Sequence, residues 1–233
     1  MLYTYPPLQS GKLIQRYKRF FADIQLDNGG LITAHCPNTG PMLGVCEIGA
    51  PVQVSQSKDP KRKLAYTWEM IYVNDTWVGV NTMMPNKLIK LALEQRLLSE
   101  LSNYNEIKTE VKYGQDGRSR IDFVLMGDEK LIYVEVKNTT YIMNDVALFP
   151  DTATTRGQKH LQELIDIMPE AQGVMLYLIN RGDMTKFAPG DAKDPLYGQL
   201  LRQAVAKGLK VLPCRFQVTP IGIKYLGMAE ALL

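Results

Sequence analysis

The sequence predicts an α+β protein built from a small N-terminal β-barrel and a C-terminal α/β domain. Residues 1–85 contain short runs of alternating apolar and polar residues separated by turn signals, a pattern typical of strands. From residue 86 onward, stretches with the apolar spacing of helices alternate with strand-like runs, which indicates an α/β arrangement. We therefore predict two domains, at residues 1–85 and 86–233.

Six short strands account for the N-terminal part. The turn signals between them include Asn28-Gly29-Gly30 and Asn74-Asp75. Several short strands with little helix between them favour a small barrel, and an OB-like and an SH3-like barrel both fit the length. The predicted strands cover residues 13–17, 20–26, 31–35, 52–55, 66–73 and 77–81.

The C-terminal part begins with a helix that we expect Asn86 to cap, because apolar residues recur at helical spacing from Leu88 to Leu101. Strands and helices then alternate in a way that favours a layered α/β domain. The predicted order is strands at 107–113, 119–126 and 131–137, a helix at 155–167, a strand at 173–179, a helix at 196–207 and a strand at 210–217.

Net charge, the length of apolar runs and the cysteine content limit the location and the partners that we expect for this protein. The net charge of +3 means that any surface for nucleic acid must be a local patch. We find no signal peptide and no apolar run long enough to cross a bilayer, so we expect a cytoplasmic protein without membrane contact. Three widely spaced cysteines fit a reducing cytoplasm, and with only His35 and His160 a structural zinc site is not expected.

Four charged residues alternate with apolar ones on the strands 119–126 and 131–137. A turn centred on residues 128–129 places Asp122 directly opposite Glu135, and Arg120 directly opposite Lys137. A solvated face should pair opposite charges, whereas each like-charge pair here costs some tenths of a kcal/mol. A turn that differs by one residue would separate these groups. The same alternation puts the apolar residues on one opposite face: Ile121, Phe123, Val134 and Val136.

A divalent cation would remove the repulsion between Asp122 and Glu135. Two carboxylates, with waters and a substrate phosphate, supply the oxygen ligands that Mg²⁺ or Mn²⁺ prefers. Lys137 would then lie beside the metal, where it can orient or deprotonate a water or stabilise charge on phosphorus. The alternative is a hairpin that simply presents a solvated charged face.

The order Asp122, Glu135, Lys137 resembles the D-x(n)-E-x-K signature of PD-(D/E)xK nucleases. Such short matches arise by chance, but here both halves lie on adjacent predicted strands between two helices, as in that fold. The resemblance implies Asp122 and Glu135 as metal ligands and all three residues as catalytic. In that fold a carboxylate from the leading helix often assists; Glu94 is the nearest one here, although we expect it to be surface charge.

The segment after this hairpin predicts a helix whose start attracts phosphate. Asp151 or a neighbouring threonine can cap the helix, and its first turns present Arg156, Lys159 and His160. Backbone N–H groups at a helix start, with cations beside them, favour a phosphate. A solvated basic helix start explains Arg156 and Lys159 equally well, and for His160 we expect a structural role.

The barrel half carries two basic clusters. One interleaves cations with aromatic residues, an arrangement that can track a nucleic-acid backbone and stack on bases, and the other is typical of a loop that reaches phosphates. The alternatives are that the first cluster is the solvent-exposed face of a strand and the second a solvated loop. With the cations of the C-terminal half, the predicted nucleic-acid-binding residues are Arg16, Lys18, Arg19, Lys61, Arg62, Lys63, Arg120, Arg156 and Lys159.

Four segments together resemble one family: PNTG at 37–40, SRIDF at 119–123, YVEVKN at 133–138, and FPD with TRGQKHL within 149–161. They resemble the sugar fermentation stimulation protein family, SfsA, over essentially the whole chain. The resemblance implies an OB-like barrel, a nuclease-like domain, non-specific DNA binding and a regulatory link to maltose metabolism. A helix-turn-helix or zinc-finger signature is absent from the sequence.

The sequence therefore predicts first a DNA-binding protein, with a metal-dependent nuclease acting on DNA or RNA as the alternative. A third possibility is a domain whose charges only face solvent. The intact set of Asp122, Glu135 and Lys137 favours nuclease chemistry over an inactive scaffold, because binding alone does not require both carboxylates. Salt-dependent binding of nucleic acid would exclude the third function.

Overall fold

The structure is a computed structural model that describes residues 1–101, 103–114, 117, 119–128, 130–168 and 170–233. Arg118 and Glu129, which fall in the predicted hairpin, lie outside these residues. The helices are α1 (Met84–Glu94), α2 (Thr155–Ile167) and α3 (Pro195–Ala206). The strands are β1 (Tyr3–Thr4), β2 (Leu8–Tyr17), β3 (Phe21–Leu26), β4 (Leu31–His35), β5 (Pro51–Gln56), β6 (Tyr66–Val73), β7 (Thr76–Gly79), β8 (Glu106–Tyr113), β9 (Ser119–Met126), β10 (Ile132–Thr139), β11 (Ile142–Met143), β12 (Val146–Phe149), β13 (Gln172–Ile179), β14 (Lys186–Pro189), β15 (Lys210–Val218), β16 (Gly222–Met228) and β17 (Glu230–Ala231).

Strands β2 to β6 form a closed barrel, as the turn-separated strands predicted. Antiparallel pairing runs in the order β4-β3-β2-β5-β6, and a parallel pairing of β4 with β6 closes the ring. The barrel core packs around the fully buried Trp68, with Ile24 and Val52 beside it. Five of the six predicted strands match β3 to β7 closely, while β2 begins earlier than predicted, at Leu8.

The C-terminal half is built on a seven-stranded mixed sheet in the order β1-β16-β15-β13-β10-β9-β8. Its central strands β10, β13 and β15 are parallel, and β13 is buried along almost its whole length, as expected for a strand covered on both faces. Helix α1 packs on one face, and α2 and α3 pack on the other. This arrangement confirms the predicted α/β domain.

Three features of the sheets were not predicted, the first of which is strand β16, since the last predicted strand ends at residue 217. Strand β1, which the sequence grouped with the barrel, pairs with β16 at the edge of the seven-stranded sheet. A small second sheet, in the order β11-β12-β14-β17, is formed from very short strands. Helices α1 to α3 are too short or too polar to cross a membrane, and the same holds for every helix in the part of the chain that is described.

Helix α1 begins before the predicted cap, and it ends at Glu94 although the helical spacing extended to Leu101. Met83 occupies the N-cap position and Pro85 lies in the first turn, where its fixed φ suits a helix start. The backbone N–H of Met83 donates to the Asn81 side chain instead. The prediction that Asn86 caps this helix is therefore wrong, and its side chain is free to point at the sheet.

The predicted alternation of β9 fails at Asp122. Phe123 packs in the core beneath α1, whereas Ile121 packs in the core beneath α2, so the two do not share a face. Strands β8 and β9 pair on both sides of Asp122 but not at it, and Glu110 opposite has a positive φ of 54°. Asp122 thus lies where the strand departs from regular pleating.

Candidate metal and phosphate site

Strands β9 and β10 pair in the predicted register, at Leu125↔Ile132, Val124↔Tyr133 and Phe123↔Val134. The ladder ends there, because the Asp122 side chain takes the next position: its Oδ2 accepts a hydrogen bond from the Val136 N–H at 2.7 Å. Continuing the register brings Asp122 level with Glu135, and both line one cavity. Arg120, predicted opposite Lys137, lies beyond the ladder and pairs with Lys112 of β8.

The two oxygens of Glu135 have different environments. The side chain is 3% exposed, and its Oε1 lies 2.7 Å from Lys137 Nζ and also contacts His160 Nδ1. Its Oε2 is buried and has no hydrogen-bond partner among the described residues. Burial alone would raise the pKa of Glu135, but the His160 hydrogen bond and the Lys137 charge outweigh it and lower this pKa. Glu135 is therefore an ionised carboxylate with one oxygen uncommitted.

Asp122 is the second carboxylate of the site. Its Oδ1 accepts a hydrogen bond from Asn86 Nδ2 at 2.7 Å, so α1 contributes to the site through an amide. Burial, and then the charge of Glu135, raise the pKa of Asp122 to about 6, although the hydrogen bonds from Val136 and Asn86 oppose this. The pair therefore carries the repulsion that the sequence predicted.

Cations surround the two carboxylates. Both acids open into a cavity of about 420 Å³ on the face of the sheet that α2 covers. Arg156 Nε donates to His160 Nε2 at 3.4 Å, and Lys159 Nζ lies 3.5 Å from Glu163 Oε1. Three of the predicted nucleic-acid-binding residues, Arg120, Arg156 and Lys159, thus line the same cavity as Asp122 and Glu135. The cavity is lined by Glu110, Ser119, Arg120, Asp122, Glu135, Arg156, Lys159 and His160.

The start of α2 is fixed by two side chains. Thr154 caps the helix by accepting from the Gly157 N–H, which selects the threonine over Asp151 as the cap. The Asp194 carboxylate accepts from the Thr154 N–H at 2.8 Å and from the Gln158 amide. These bonds hold the helix in the position from which it presents cations to the cavity.

His160 and Asn86 are site residues that the sequence analysis assigned elsewhere. His160 was expected to be structural, yet its buried ring contacts Glu135 directly. The available signal was a histidine on the apolar face of an amphipathic helix next to the nuclease-like motif. Glu94, in contrast, is on the surface and pairs with Lys90 at 3.8 Å, as expected.

The barrel cations do not line this cavity. Arg16 Nη2 donates to the carbonyls of Asn38 and Gly40 at 2.9 Å each, and Arg19 Nε donates to the Thr39 carbonyl at 2.7 Å. These two arginines therefore hold the PNTG turn. Arg62 donates to the Thr67 hydroxyl, whereas the side chains of three other predicted binding residues are exposed: Lys18, Lys61 and Lys63.

The donor set fits a hard divalent cation rather than zinc. Asp122 and Glu135 offer carboxylate oxygens, including the buried and unpartnered Oε2. Within the described ranges, no cluster of three or more His, Cys, Asp or Glu residues is arranged to hold a metal. Mg²⁺ usually keeps several waters and takes one or two carboxylates, so two protein ligands suffice for it but not for structural zinc.

Comparison with known proteins identifies both halves. The family model for the sugar fermentation stimulation protein RE domain matches residues 83–222, and that for the SfsA N-terminal OB domain matches residues 14–80. The barrel is thus the OB-like one of the two that the sequence left open. The structure also resembles that of Pyrococcus furiosus SfsA in complex with Ca²⁺, with a TM-score of 0.90 and 23% identity over 100% of this chain and 99% of that one.

Relatives of known sequence agree with the family models. A sugar fermentation stimulation protein homolog from Microcystis aeruginosa is 66% identical over 99% of this chain and 97% of its own. The homolog from Synechocystis sp. is 64% identical over 98% of each chain. These matches span both domains, so the chain belongs to the sugar fermentation stimulation protein family.

Proposed function

We propose that this protein binds DNA without sequence specificity and hydrolyses phosphodiester bonds of DNA or RNA with a divalent cation, Mg²⁺ or Mn²⁺. The observation that carries the proposal is the buried Oε2 of Glu135, which has no partner among the described residues, on a residue that lines one cavity with Asp122. A buried carboxylate oxygen without a partner is costly, and a cation is the ligand that would satisfy it.

Asp122 and Glu135 are the residues that would hold the cation. When bound, it would polarise a phosphate and lower the pKa of a bound water. The neighbouring Pyrococcus furiosus structure is described as a complex with Ca²⁺, which like Mg²⁺ takes oxygen ligands. That description supports a divalent cation here without fixing which one.

The cations of the site have separate tasks in this proposal. Arg120, Arg156 and Lys159 line the cavity and hold the phosphates next to the scissile bond. Lys137 is hydrogen-bonded to Glu135 and stabilises the negative charge that develops on the phosphoryl oxygens. The exposed lysines of the barrel, among them Lys61 and Lys63, extend the contact with the nucleic-acid backbone.

A second candidate function is regulation through DNA binding without cleavage. The name shared by the relatives, sugar fermentation stimulation protein homolog, favours it. In this alternative the protein affects sugar use, maltose in particular, by occupying DNA, and the metal would only stabilise the site.

Cleavage of labelled duplex, single-stranded and structured DNA and RNA, with Mg²⁺, Mn²⁺ or EDTA, separates the two. We expect metal-dependent cleavage by the wild type and its loss in Glu135→Gln, while the exposed-carboxylate control Glu94→Gln retains it. Salt-sensitive binding with no cleavage of any substrate would leave the regulatory function. Equal cleavage by Glu135→Gln would show that a different site, or a contaminant, is responsible.

A further inference from the structure

We infer that a pocket between the two halves of the molecule binds the base of an unpaired pyrimidine nucleotide in the nucleic-acid strand. The residues that line this junction pocket include Asn38 and Gly40 of the barrel half and Asn138, Phe149 and Asp151 of the C-terminal half. None of its described lining residues lines the cavity of the metal site. The inference rests on the proposed function, because it names the form of nucleic acid, unpaired at one nucleotide, that the protein takes.

The junction pocket gathers sequence segments that the proposed cleavage chemistry does not use. Asn38 and Gly40 belong to the PNTG segment, Asn138 ends the YVEVKN segment, and Phe149 and Asp151 belong to the FPD segment. Three of the four segments that resemble one family therefore meet here. The metal site accounts for the other residues of two of these segments, but not for these five.

The size and walls of the junction pocket suit a single small ring. Its volume is about 90 Å³, and since a water needs about 10–15 Å³, it has room for roughly six to nine waters. A pyrimidine base is of this size, whereas a purine carries a second ring. Tyr141 and Phe149 are among the lining residues, and aromatic side chains are regular partners of base faces. No arginine or lysine is among the described lining residues, so the pocket suits an uncharged base rather than a phosphate.

Two amide groups of the junction pocket have their oxygens engaged and their nitrogens free. Asn38 Oδ1 accepts from the Gly40 N–H at 2.9 Å, and Asn138 Oδ1 accepts from the Asn180 amide at 3.0 Å. In the part of the chain that is described, neither amide nitrogen donates to another residue. The Asp151 carboxylate likewise accepts no hydrogen bond from another described residue. The lining residues therefore offer two donors and one acceptor.

The Watson–Crick edge of a pyrimidine carries the complementary set. Cytosine, thymine and uracil each present two acceptors and one donor there, whereas guanine presents one acceptor and two donors, and adenine one of each. A carboxylate that accepts from cytosine N4 is a known pairing of this kind. The hydroxyls of Thr82 and Thr140, also in the lining, can donate or accept and so favour no base. A base held by this edge cannot be paired with another strand at the same time.

Two elements of the fold join the junction pocket to the metal site. Strand β10 carries both Glu135 and Asn138, which are about 10 Å apart at 3.3 Å per residue. Helix α1 follows Thr82 of the pocket, and its Asn86 donates to Asp122. At 3.4 Å per nucleotide of stacked DNA, a base in the pocket lies within about three nucleotides of a phosphate held at the cation.

Fluorescence anisotropy with short single-stranded DNA in EDTA measures the base preference without cleavage. We expect oligo(dT) and oligo(dC) to bind about 5–20-fold more tightly than oligo(dA). An oligonucleotide of N3-methylthymine keeps the charge and shape of oligo(dT) but has a methyl group on the Watson–Crick edge, so it should lose this advantage. Equal affinities for oligo(dT) and oligo(dA), or full affinity of the methylated strand, would overturn the inference.

Asparagine-to-aspartate variants test which side chains provide the preference. Asn38→Asp and Asn138→Asp each keep an oxygen as acceptor but replace the free amide nitrogen with a second acceptor. Each should lower the ratio of oligo(dT) to oligo(dA) affinity by at least about 3-fold. This ratio cancels the uniform effect of the added negative charge on phosphate binding.

Asn28→Asp is the matched control, since Asn28 Oδ1 also accepts from the N–H two residues further on, that of Gly30, at 3.0 Å. Asn28 does not line the junction pocket, so its variant should keep the wild-type ratio. A wild-type ratio in both pocket variants, or an equally lowered ratio in the control, would contradict the assignment. The methylated oligonucleotide decides the case in which the pocket variants do not fold, because it uses the wild-type protein.

The two proposals fail in distinguishable ways. If the wild type binds none of the oligonucleotides, the proposed function fails and this inference fails with it. If the wild type binds all of them with one affinity and cleaves single-stranded DNA with Mg²⁺, the proposed function stands and only the base pocket is wrong.

Discussion

Each half of the molecule buries a glutamate, and the two glutamates differ in how their oxygens are hydrogen-bonded. In the barrel, Glu69 is 6% exposed, its Oε1 accepts from the Ser55 hydroxyl at 2.6 Å, and its Oε2 accepts from the Asn81 amide at 2.8 Å. In the sheet, Glu135 is 3% exposed, and the residues that the structure describes place two donors on Oε1 and none on Oε2. Both glutamates are therefore buried, but only Glu69 has a hydrogen-bond donor on each of its two oxygens in the part of the chain that is described.

This difference separates a carboxylate whose two oxygens both have donors from one that has both donors on a single oxygen. Glu69 has one neutral donor for each oxygen, so the protein itself completes its hydrogen bonding. Glu135 has a lysine and a histidine on Oε1, and the residue lines one cavity with a second carboxylate. A buried carboxylate oxygen without a hydrogen-bond donor, in a cavity wall that holds a second carboxylate, is where a cation is expected.

The largest effect should come from Glu135→Gln. A glutamine keeps the size of the side chain but removes the charge that would attract a cation, so we expect cleavage to fall by at least about 1000-fold, or about 4 kcal/mol in activation free energy. Glu69→Gln, with its site outside the cavity, should retain cleavage within a few fold. Single-turnover assays on both variants with Mg²⁺ measure the difference. Similar losses in both would show that the unpartnered oxygen of Glu135 does not distinguish its function from that of Glu69.

A smaller effect concerns Asp122 and pH. Its pKa of about 6 in the folded protein exceeds the ordinary value of 3.8, so between these pH values the folded state keeps a proton that the unfolded state has lost. The contribution of Asp122 to the stability of the metal-free protein should therefore fall as pH rises from 4 to 6, by on the order of 3 kcal/mol.

Urea unfolding in EDTA, of the wild type against Asp122→Asn, isolates this contribution. The difference in unfolding free energy between the two should change across pH 4 to 6 and be flat above 7. Mg²⁺ should then restore stability to the wild type at pH 7.5 but not to the variant. A difference that does not depend on pH would show that burial and the charge of Glu135 do not raise the pKa of Asp122 in the folded protein.

The third effect is on the barrel. Glu69→Gln turns one acceptor into a donor, so either the Ser55 hydroxyl loses the acceptor for its O–H or the Asn81 amide faces another N–H group in a buried position. We expect a loss of about 1–3 kcal/mol in unfolding free energy with no change in Mn²⁺ affinity. Chemical denaturation and calorimetry on the same sample test this, and a weakened metal affinity would mean that the barrel is coupled to the site.

The fold was largely predictable because its main elements have local signals. The alternation in β3 to β7 and the helical spacing in α1, α2 and α3 need only neighbouring residues to be recognised. Strands such as β11 and β17, of two residues each, are too short to show a period. The pairing of β1 with β16 joins opposite ends of the chain, and no local pattern encodes it.

The site was predictable to the extent that it comes from one hairpin. Asp122 and Glu135 were placed level because a turn sets the register of two consecutive strands. His160 and Asn86 arrive from α2 and α1, and the rotation of each helix against the sheet depends on packing over long sequence distances. The irregularity at Asp122, which puts Ile121 and Phe123 on opposite faces of the sheet, was likewise not predictable from the regular alternation of the sequence.

The smallest expected effect is on DNA binding, and it distinguishes the cations of the cavity from those of the barrel. Arg120 lines the cavity, whereas Lys63 is exposed on the barrel. If both contact phosphates, Arg120→Ala and Lys63→Ala should each weaken DNA binding by about 3–10-fold and reduce the salt slope by about one. Only Arg120→Ala should also slow cleavage at saturating DNA, because only that cation lies in the cavity with Asp122 and Glu135. Fluorescence anisotropy at several salt concentrations, with cleavage assays alongside, measures both. Unchanged affinity in Lys63→Ala would confine DNA contact to the sheet and leave the barrel a structural role, whereas unchanged affinity in Arg120→Ala would remove that cation from the phosphate path.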